Sequence, residues 1–242
     1  MKNLIKVLNP TSSRKYLICI PYAGGNSIAF KPIQLKLGGD WQVISLDPPG
    51  HGSNADPLIN NLEMLVQLYI ERLRSYFQYP YVLFGHSMGG IIAHRMAQVL
   101  ELEGMPPAAV IVSGSVAPDR YNKHTIYRDD ESLLAHVTSF GGIPDELLQY
   151  SPFMDYYLPV IRADYEALRT YVCPSDYRLI SPLYVFYGTE DHIFTNEDTT
   201  AWLKWARQME CVAFTGGHLF LVDQIDELTA RISAILNDVI TI

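Results

Sequence analysis

Cysteine is scarce in this chain: three residues in 242, Cys19, Cys173 and Cys211, an odd count without C-x-x-C spacing. That pattern argues against a disulfide framework and against thiolate metal ligands, so no metal site is expected. Cys19 and Cys211 fall inside apolar runs that read as strands, and buried free thiols are expected there. Positive charge is also in short supply, with 18 Lys and Arg against 26 Asp and Glu, a net charge of −8. That balance argues against nucleic-acid binding and against general attraction to an anionic membrane. No apolar run approaches the roughly 18–20 residues that span a bilayer. The first ten residues are broken by Lys6, Asn9 and Pro10 and lack a small-residue cleavage pattern, so they do not read as a signal peptide. Internal repeats and low-complexity tracts are absent as well. The expectation is a soluble, cytoplasmic protein with neither a nucleic-acid nor a membrane partner.

What is present is apolar residue, 48% of the chain, enough for one sizeable core in a single domain over 1–242. Short runs rich in Val, Ile, Tyr and Phe predict strands at Tyr16–Ile20, Trp41–Leu46, Tyr81–Gly85, Ala108–Ser113, Leu183–Tyr187 and Cys211–Phe214. Helical periodicity predicts Asn61–Phe77, Met88–Glu103 closed by Gly104, Asp198–Gln208 and Ile225–Leu236. Alternation of the two implies an α/β chain: a mostly parallel sheet with helices on both faces. Residues from about 115 to 180 break the rhythm, with helical segments, many tyrosines and no convincing strand. A structureless loop of that length is improbable in a compact domain, so this stretch reads as a helical lid insertion over the sheet edge. Two packing helices with no gating role are the plainer alternative.

Gly85-His86-Ser87-Met88-Gly89 matches G-x-S-x-G, with a buried strand running into it and a long helix leaving it. That context defines the nucleophile elbow of the α/β-hydrolase fold, with Ser87 as the nucleophile. A serine that merely caps a helix would not need glycines on both sides. In this fold the acid and then the histidine follow the serine along the chain. Among seven histidines, His218 stands where that order puts the base, after the last strand and Thr215-Gly216-Gly217. Asp191, in Gly188-Thr189-Glu190-Asp191 after a strand, is the preferred acid, with Glu190 as the alternative. The oxyanion hole requires two backbone N–H groups: one from Met88, after the nucleophile, the other from the loop Pro21-Tyr22-Ala23-Gly24-Gly25, where Ala23 is the expected donor. These residues predict acyl transfer through an acyl-enzyme.

Three segments then stand out together: Ile20-Pro21-Tyr22-Ala23-Gly24-Gly25, Asp47-Pro48-Pro49-Gly50-His51-Gly52 and Phe84-Gly85-His86-Ser87-Met88-Gly89-Gly90. With Gly141-Gly142-Ile143-Pro144, Leu158-Pro159-Val160-Ile161-Arg162-Ala163-Asp164 and Gly216-Gly217-His218-Leu219-Phe220-Leu221, the chain resembles the type II (external, editing) thioesterases of nonribosomal peptide and polyketide synthesis. The resemblance covers nearly the whole chain. It implies hydrolysis of acyl groups stalled on the phosphopantetheine arm of carrier domains, with a triad at Ser87, Asp191 and His218. No cofactor of the chain's own is implied, and the partners are carrier domains met transiently by a monomer. Tyr22 is expected to bear on acyl choice. Arg162 and Asp164 read as a structural pair or cap in the lid. Arg120, Lys123 and Arg128 read as a solvated loop, with carrier docking as the alternative. A carboxylesterase or lipase acting on free esters would share every catalytic residue. A non-catalytic binding protein would be expected to have lost one.

Overall fold

The computed structural model describes residues 3–120, 129–143 and 145–239. Seven strands form one sheet: β1 (Ile5–Val7), β2 (Tyr16–Ile20), β3 (Gln42–Leu46), β4 (Tyr81–His86), β5 (Ala109–Ser113), β6 (Leu183–Gly188) and β7 (Met209–Phe214), in the spatial order β1-β3-β2-β4-β5-β6-β7. All neighbours pair in parallel except β1, which runs antiparallel to β3 with Ile5 opposite Leu46. The helices are α1 (Lys31–Lys36), α2 (Leu62–Leu73), α3 (Met88–Leu102), α4 (Asp130–Ser139), α5 (Asp145–Leu148), α6 (Ser151–Thr170), α7 (Asn196–Ala201), α8 (Phe220–Asp223) and α9 (Ile225–Asp238).

Why the central strands are continuous apolar runs is plain from the core. Successive strand side chains point to opposite faces, and both faces are covered. Ile18 and Ile20 of β2, Leu83 of β4 and Val110 and Val112 of β5 pack with Leu65, Val66 and Tyr69 of α2 and Ile92 and Met96 of α3. Their alternates Leu17, Cys19, Val82, Phe84 and Ile111 pack on the other side with Ile33 of α1 and Leu228 and Ile232 of α9. Each such aliphatic side chain removed from water stabilises the fold by about 1.5–3 kcal/mol before the entropic cost of ordering it.

The helix limits follow local chemistry. Asn61 caps α2 by accepting from the Met64 N–H. After α3, Gly104 takes a left-handed φ of 75° that ends the helix. The expected helix over Asp198–Gln208 is only partly formed. Asp198 is spent on capping α7, accepting from the Thr195 N–H and hydroxyl at 2.8 and 2.7 Å, and a 3-10 turn at Trp202–Lys204 follows. The expectation for Cys211 is corrected too: Cys19 is buried, but Cys211 is exposed. Strand β7 lies at the sheet edge and alternates, burying Val212 and Phe214 and turning Cys211 outward.

Between β5 and β6 the chain leaves the sheet and builds α4, α5 and α6 around a small core of its own, Leu133, Val137, Ile143 and Ile161. No strand forms among its described residues. Lys123, His124, Arg128 and Pro144 lie outside the described residues. Among the described residues no helix is long and apolar enough to cross a membrane.

One histidine makes a stability prediction. His94 on α3 is fully buried with its ring edge-on to Trp202 and Trp205, at 5.3 and 5.5 Å. Burial, aided by the charge of Arg95, holds its pKa down to about 3. The unfolded chain takes this proton near pH 6.5 and the folded chain refuses it, so stability is lost as pH falls from about 6.5 towards 3. Between pH 7 and pH 5 the cost is about 2 kcal/mol. Urea titrations at both pH values are expected to show His94→Met losing that much less than the wild type. Equal losses would mean that His94 titrates normally in the fold.

Candidate active site

The strand order reverses at β2: β3 lies on one side of it and β4 on the other. A crevice opens at the C-terminal ends of strands where such a reversal occurs. The loop after β2 (21–25) and the turn after β4 meet there. Ser87 occupies that turn at φ 53° and ψ −118°, and it is the non-glycine residue with positive φ among those described. A serine in that conformation is strained. The strain is held by surrounding bonds: the Ser87 N–H donates to the Ser113 carbonyl at 2.7 Å, and its carbonyl accepts from the Gly90 N–H at 2.9 Å and from the Ser115 hydroxyl at 2.5 Å. The flanking glycines are required by contact. A Cβ on Gly85 would lie 2.0 Å from the Gly89 carbonyl oxygen, and one on Gly89 would lie 2.1 Å from that of Ile20.

Against the Ser87 hydroxyl stands His218, carried by the loop after β7. Its Nε2 is 3.0 Å from Ser87 Oγ, and its Nδ1 is 2.8 Å from Asp191 Oδ2. Since a carboxylate only accepts, the proton sits on Nδ1 and leaves Nε2 free to accept from the serine. Asp191 is buried, and its other oxygen accepts from the Ile193 N–H at 2.8 Å. Glu190, the alternative acid, and His192 are exposed. The structure therefore brings Ser87, His218 and Asp191 together and leaves Glu190 aside. Met88 opens α3 directly after the serine, and Ala23 lines the same narrow space as Ser87 and His218.

That space is small, about 20 Å³, closed by Tyr22, Val137, Phe140, Tyr165 and Leu219. Tyr22 thus shares this space with Ser87, its ring edge-on to His86 at 5.9 Å. A larger cavity of about 740 Å³ also borders His218, lined by His136 and Phe140 of the helical segment, Glu190 and His192 of the loop after β6, and Asp223 of α8. Phe140 borders both, with its ring 5.1 Å from that of His218. His86 lies beneath His218, buried, with Nδ1 2.9 Å from the Ser113 hydroxyl. Burial and the neighbouring His218 hold its pKa well below the ordinary histidine value, so it is neutral at pH 7. No cluster of three or more His, Cys, Asp or Glu that could hold a metal occurs among the described residues.

Two expectations change. Arg162 and Asp164 do not pair: Arg162 forks onto Asp130 of α4, while Asp164 turns inward to Gly24 and His51. Two residues apart on a helix, their side chains leave in different directions. Arg120 is not simply solvated, since it pairs with Glu197 and Asp198 at 2.9 and 3.1 Å. The inward role of Asp164 was not legible in the sequence, although both it and His51 lie in the segments that carry the family resemblance.

The parallel sheet, its reversal point and the serine on a strained strand-to-helix turn define the α/β-hydrolase fold. Residues 15–236 match the thioesterase domain family, and the chain belongs to that family. Among relatives, a probable cadicidin biosynthesis thioesterase of Streptomyces griseus is 33% identical over 91% of this chain and 62% of its own length. The phenyloxazoline synthase MbtB of Mycobacterium tuberculosis is 28% identical over 96% of this chain and 17% of its own length. This chain thus spans less than two thirds of either relative. Among solved structures, the type II thioesterase BorB of the borrelidin biosynthetic cluster superposes with a TM-score of 0.87 at 28% identity, covering 96% of this chain and 97% of that one.

Proposed function

We propose that this chain is a type II thioesterase that hydrolyses acyl or aminoacyl thioesters from the phosphopantetheine arms of carrier domains in a nonribosomal peptide or polyketide assembly line. The observation that carries the chemistry is the line of hydrogen bonds from Ser87 Oγ through His218 to Asp191, at 3.0 and 2.8 Å. The assignment to assembly lines rests on the relatives and on the likeness to a type II thioesterase from a biosynthetic cluster.

In this reading His218 Nε2 takes the Ser87 proton as Oγ bonds to the thioester carbon. The carbonyl oxygen becomes an oxyanion held by the N–H groups of Ala23 and Met88 at the N-terminus of α3. The carbon–sulfur bond then breaks, and the thiolate leaves with the proton from His218. A water next gives its proton to His218, attacks the acyl-enzyme and releases the carboxylic acid and Ser87. Asp191 holds the tautomer and stabilises the imidazolium. The segment over the site acts as a lid and the cavity of about 740 Å³ admits the arm; the space of about 20 Å³ over Ser87 has room for little more than a water, so the acyl end enters as the lid moves.

The test is release of short acyl groups from a phosphopantetheinylated carrier protein, with an aryl ester run alongside. Turnover of the loaded carrier at higher kcat/KM than the ester is expected. An untouched carrier with fast ester cleavage would leave a serine esterase and discard the thioesterase assignment. Sedimentation is expected to show a monomer, and a stable dimer would correct that part.

A further inference from the structure

Asp164 on α6 is 1% exposed, yet its carboxylate reaches two loops far away in sequence. One oxygen, Oδ2, accepts the Gly24 N–H at 2.7 Å and faces His51 Nε2 at 2.9 Å. Gly24 belongs to the loop after β2, His51 to the loop after β3, and Asp164 to the helical segment over the site, so one carboxylate oxygen ties three segments together. Contact between loop and helix is close along this line. Gly24 has φ 76°, and a Cβ there would fall 2.5 Å from the Tyr157 hydroxyl, also on α6.

The protons follow from the acceptors. His51 Nδ1 faces the Pro49 carbonyl at 2.9 Å, which can only accept, so it carries hydrogen. Nε2 faces the Asp164 oxygen that accepts from Gly24, an arrangement that favours the protonated ring. Burial works against that charge, but the hydrogen bond and charge of Asp164 outweigh it, with Asp47 adding, and the pKa of His51 is raised. Tyr69 of α2 and Tyr157 face Asp164 from the other sides, their phenols pushed up by burial and by that carboxylate. The Tyr69 hydroxyl is buried and bonds to no protein group among the described residues.

We propose that Asp164 is a positioning residue for the oxyanion hole. Its bond to the Gly24 N–H fixes the plane of the Ala23–Gly24 peptide, and with it the loop that presents the Ala23 N–H over Ser87. The donor is therefore aimed only while α6 is docked. A charge-assisted bond in a buried setting holds a peptide more firmly than a loop–solvent contact would. The proposal rests on the reading of Ala23 as an oxyanion donor.

Removing one oxyanion donor outright costs roughly 10²–10³-fold in kcat. A donor left in place but unsteered should cost less, and Asp164→Ala is expected to lower kcat on an aryl acetate about 10–100-fold with KM within about threefold. A probe for the tetrahedral state is n-butylboronic acid, whose boron accepts Ser87 Oγ as a fourth ligand while His218 takes the proton. Its affinity should fall by the same factor as kcat. Asp164→Asn keeps one acceptor and should recover part of both losses. Unchanged kcat, or a loss confined to KM with boronate affinity intact, would overturn the proposal. If Asp164→Ala does not fold, amide exchange in the wild type decides: a protected Gly24 N–H, more protected in the boronate adduct, is expected, and exchange at the rate of a free loop overturns it. Ser87→Ala separates the two levels. An active Ser87→Ala enzyme defeats the reading of the whole site, whereas a dead one beside an unaffected Asp164→Ala defeats only this proposal.

Discussion

Replacing Ser87 with alanine is expected to lower kcat by about 10⁴–10⁶-fold while leaving the fold intact. The expectation is large because the proposed mechanism gives one oxygen three roles. It supplies the nucleophile, it gives its proton to His218 Nε2 across 3.0 Å, and it becomes the tether of the acyl group. His218→Ala should cost about as much, and the double variant hardly more than either, because the pair acts as a unit. Asp191→Asn should fall about 10⁴-fold, since an amide can donate to Nδ1 and turn the imidazole into the wrong tautomer. Burst kinetics on an aryl ester check all of these. Additive losses in the double variant would show that Ser87 and His218 work separately.

A large effect on folding is expected from Gly89→Ala. A Cβ at that position would meet the Ile20 carbonyl oxygen at 2.1 Å and that of Pro21 at 2.6 Å. These are backbone atoms of β2 and the loop that follows it, so no rotamer change can relieve the contact. Overpacking against side chains costs about 1–3 kcal/mol, and backbone against backbone should exceed that, removing more than about 3 kcal/mol. For a domain of ordinary stability this is a large share of the total. Urea titration is the check, and a loss below about 1 kcal/mol would mean that α3 can slide away from β2 without penalty. The same glycine also sets how close the helix N-terminus comes to the oxyanion loop, so any folded survivor should be impaired in kcat.

Strands such as Tyr16–Ile20 and Ala109–Ser113 were legible because both faces of each are buried, which leaves an uninterrupted apolar run. Strand β1 was not, since none of its three residues is fully buried and they take their place from pairing with β3. Helix α1 was missed for a related reason: six residues with one buried side chain give no periodicity to read. The elbow was legible because its glycines and serine are consecutive, and His218 because chain order selects it. Asp191 was preferred to Glu190 for its place deeper in the turn, and the structure has Asp191 bonded to His218 while Glu190 is exposed. Asp164 was hidden more deeply. Its contacts are with Gly24 and His51, 140 and 113 residues away, and no local pattern records a contact at that range.

The positive φ of Ser87 carries a last consequence. A side chain held there costs the chain of order 1–3 kcal/mol that a glycine would not. Selection for persistence alone would drift towards glycine at this one codon, giving a sturdier protein that does nothing. That the residue is serine means that turnover, and not endurance, has decided this position.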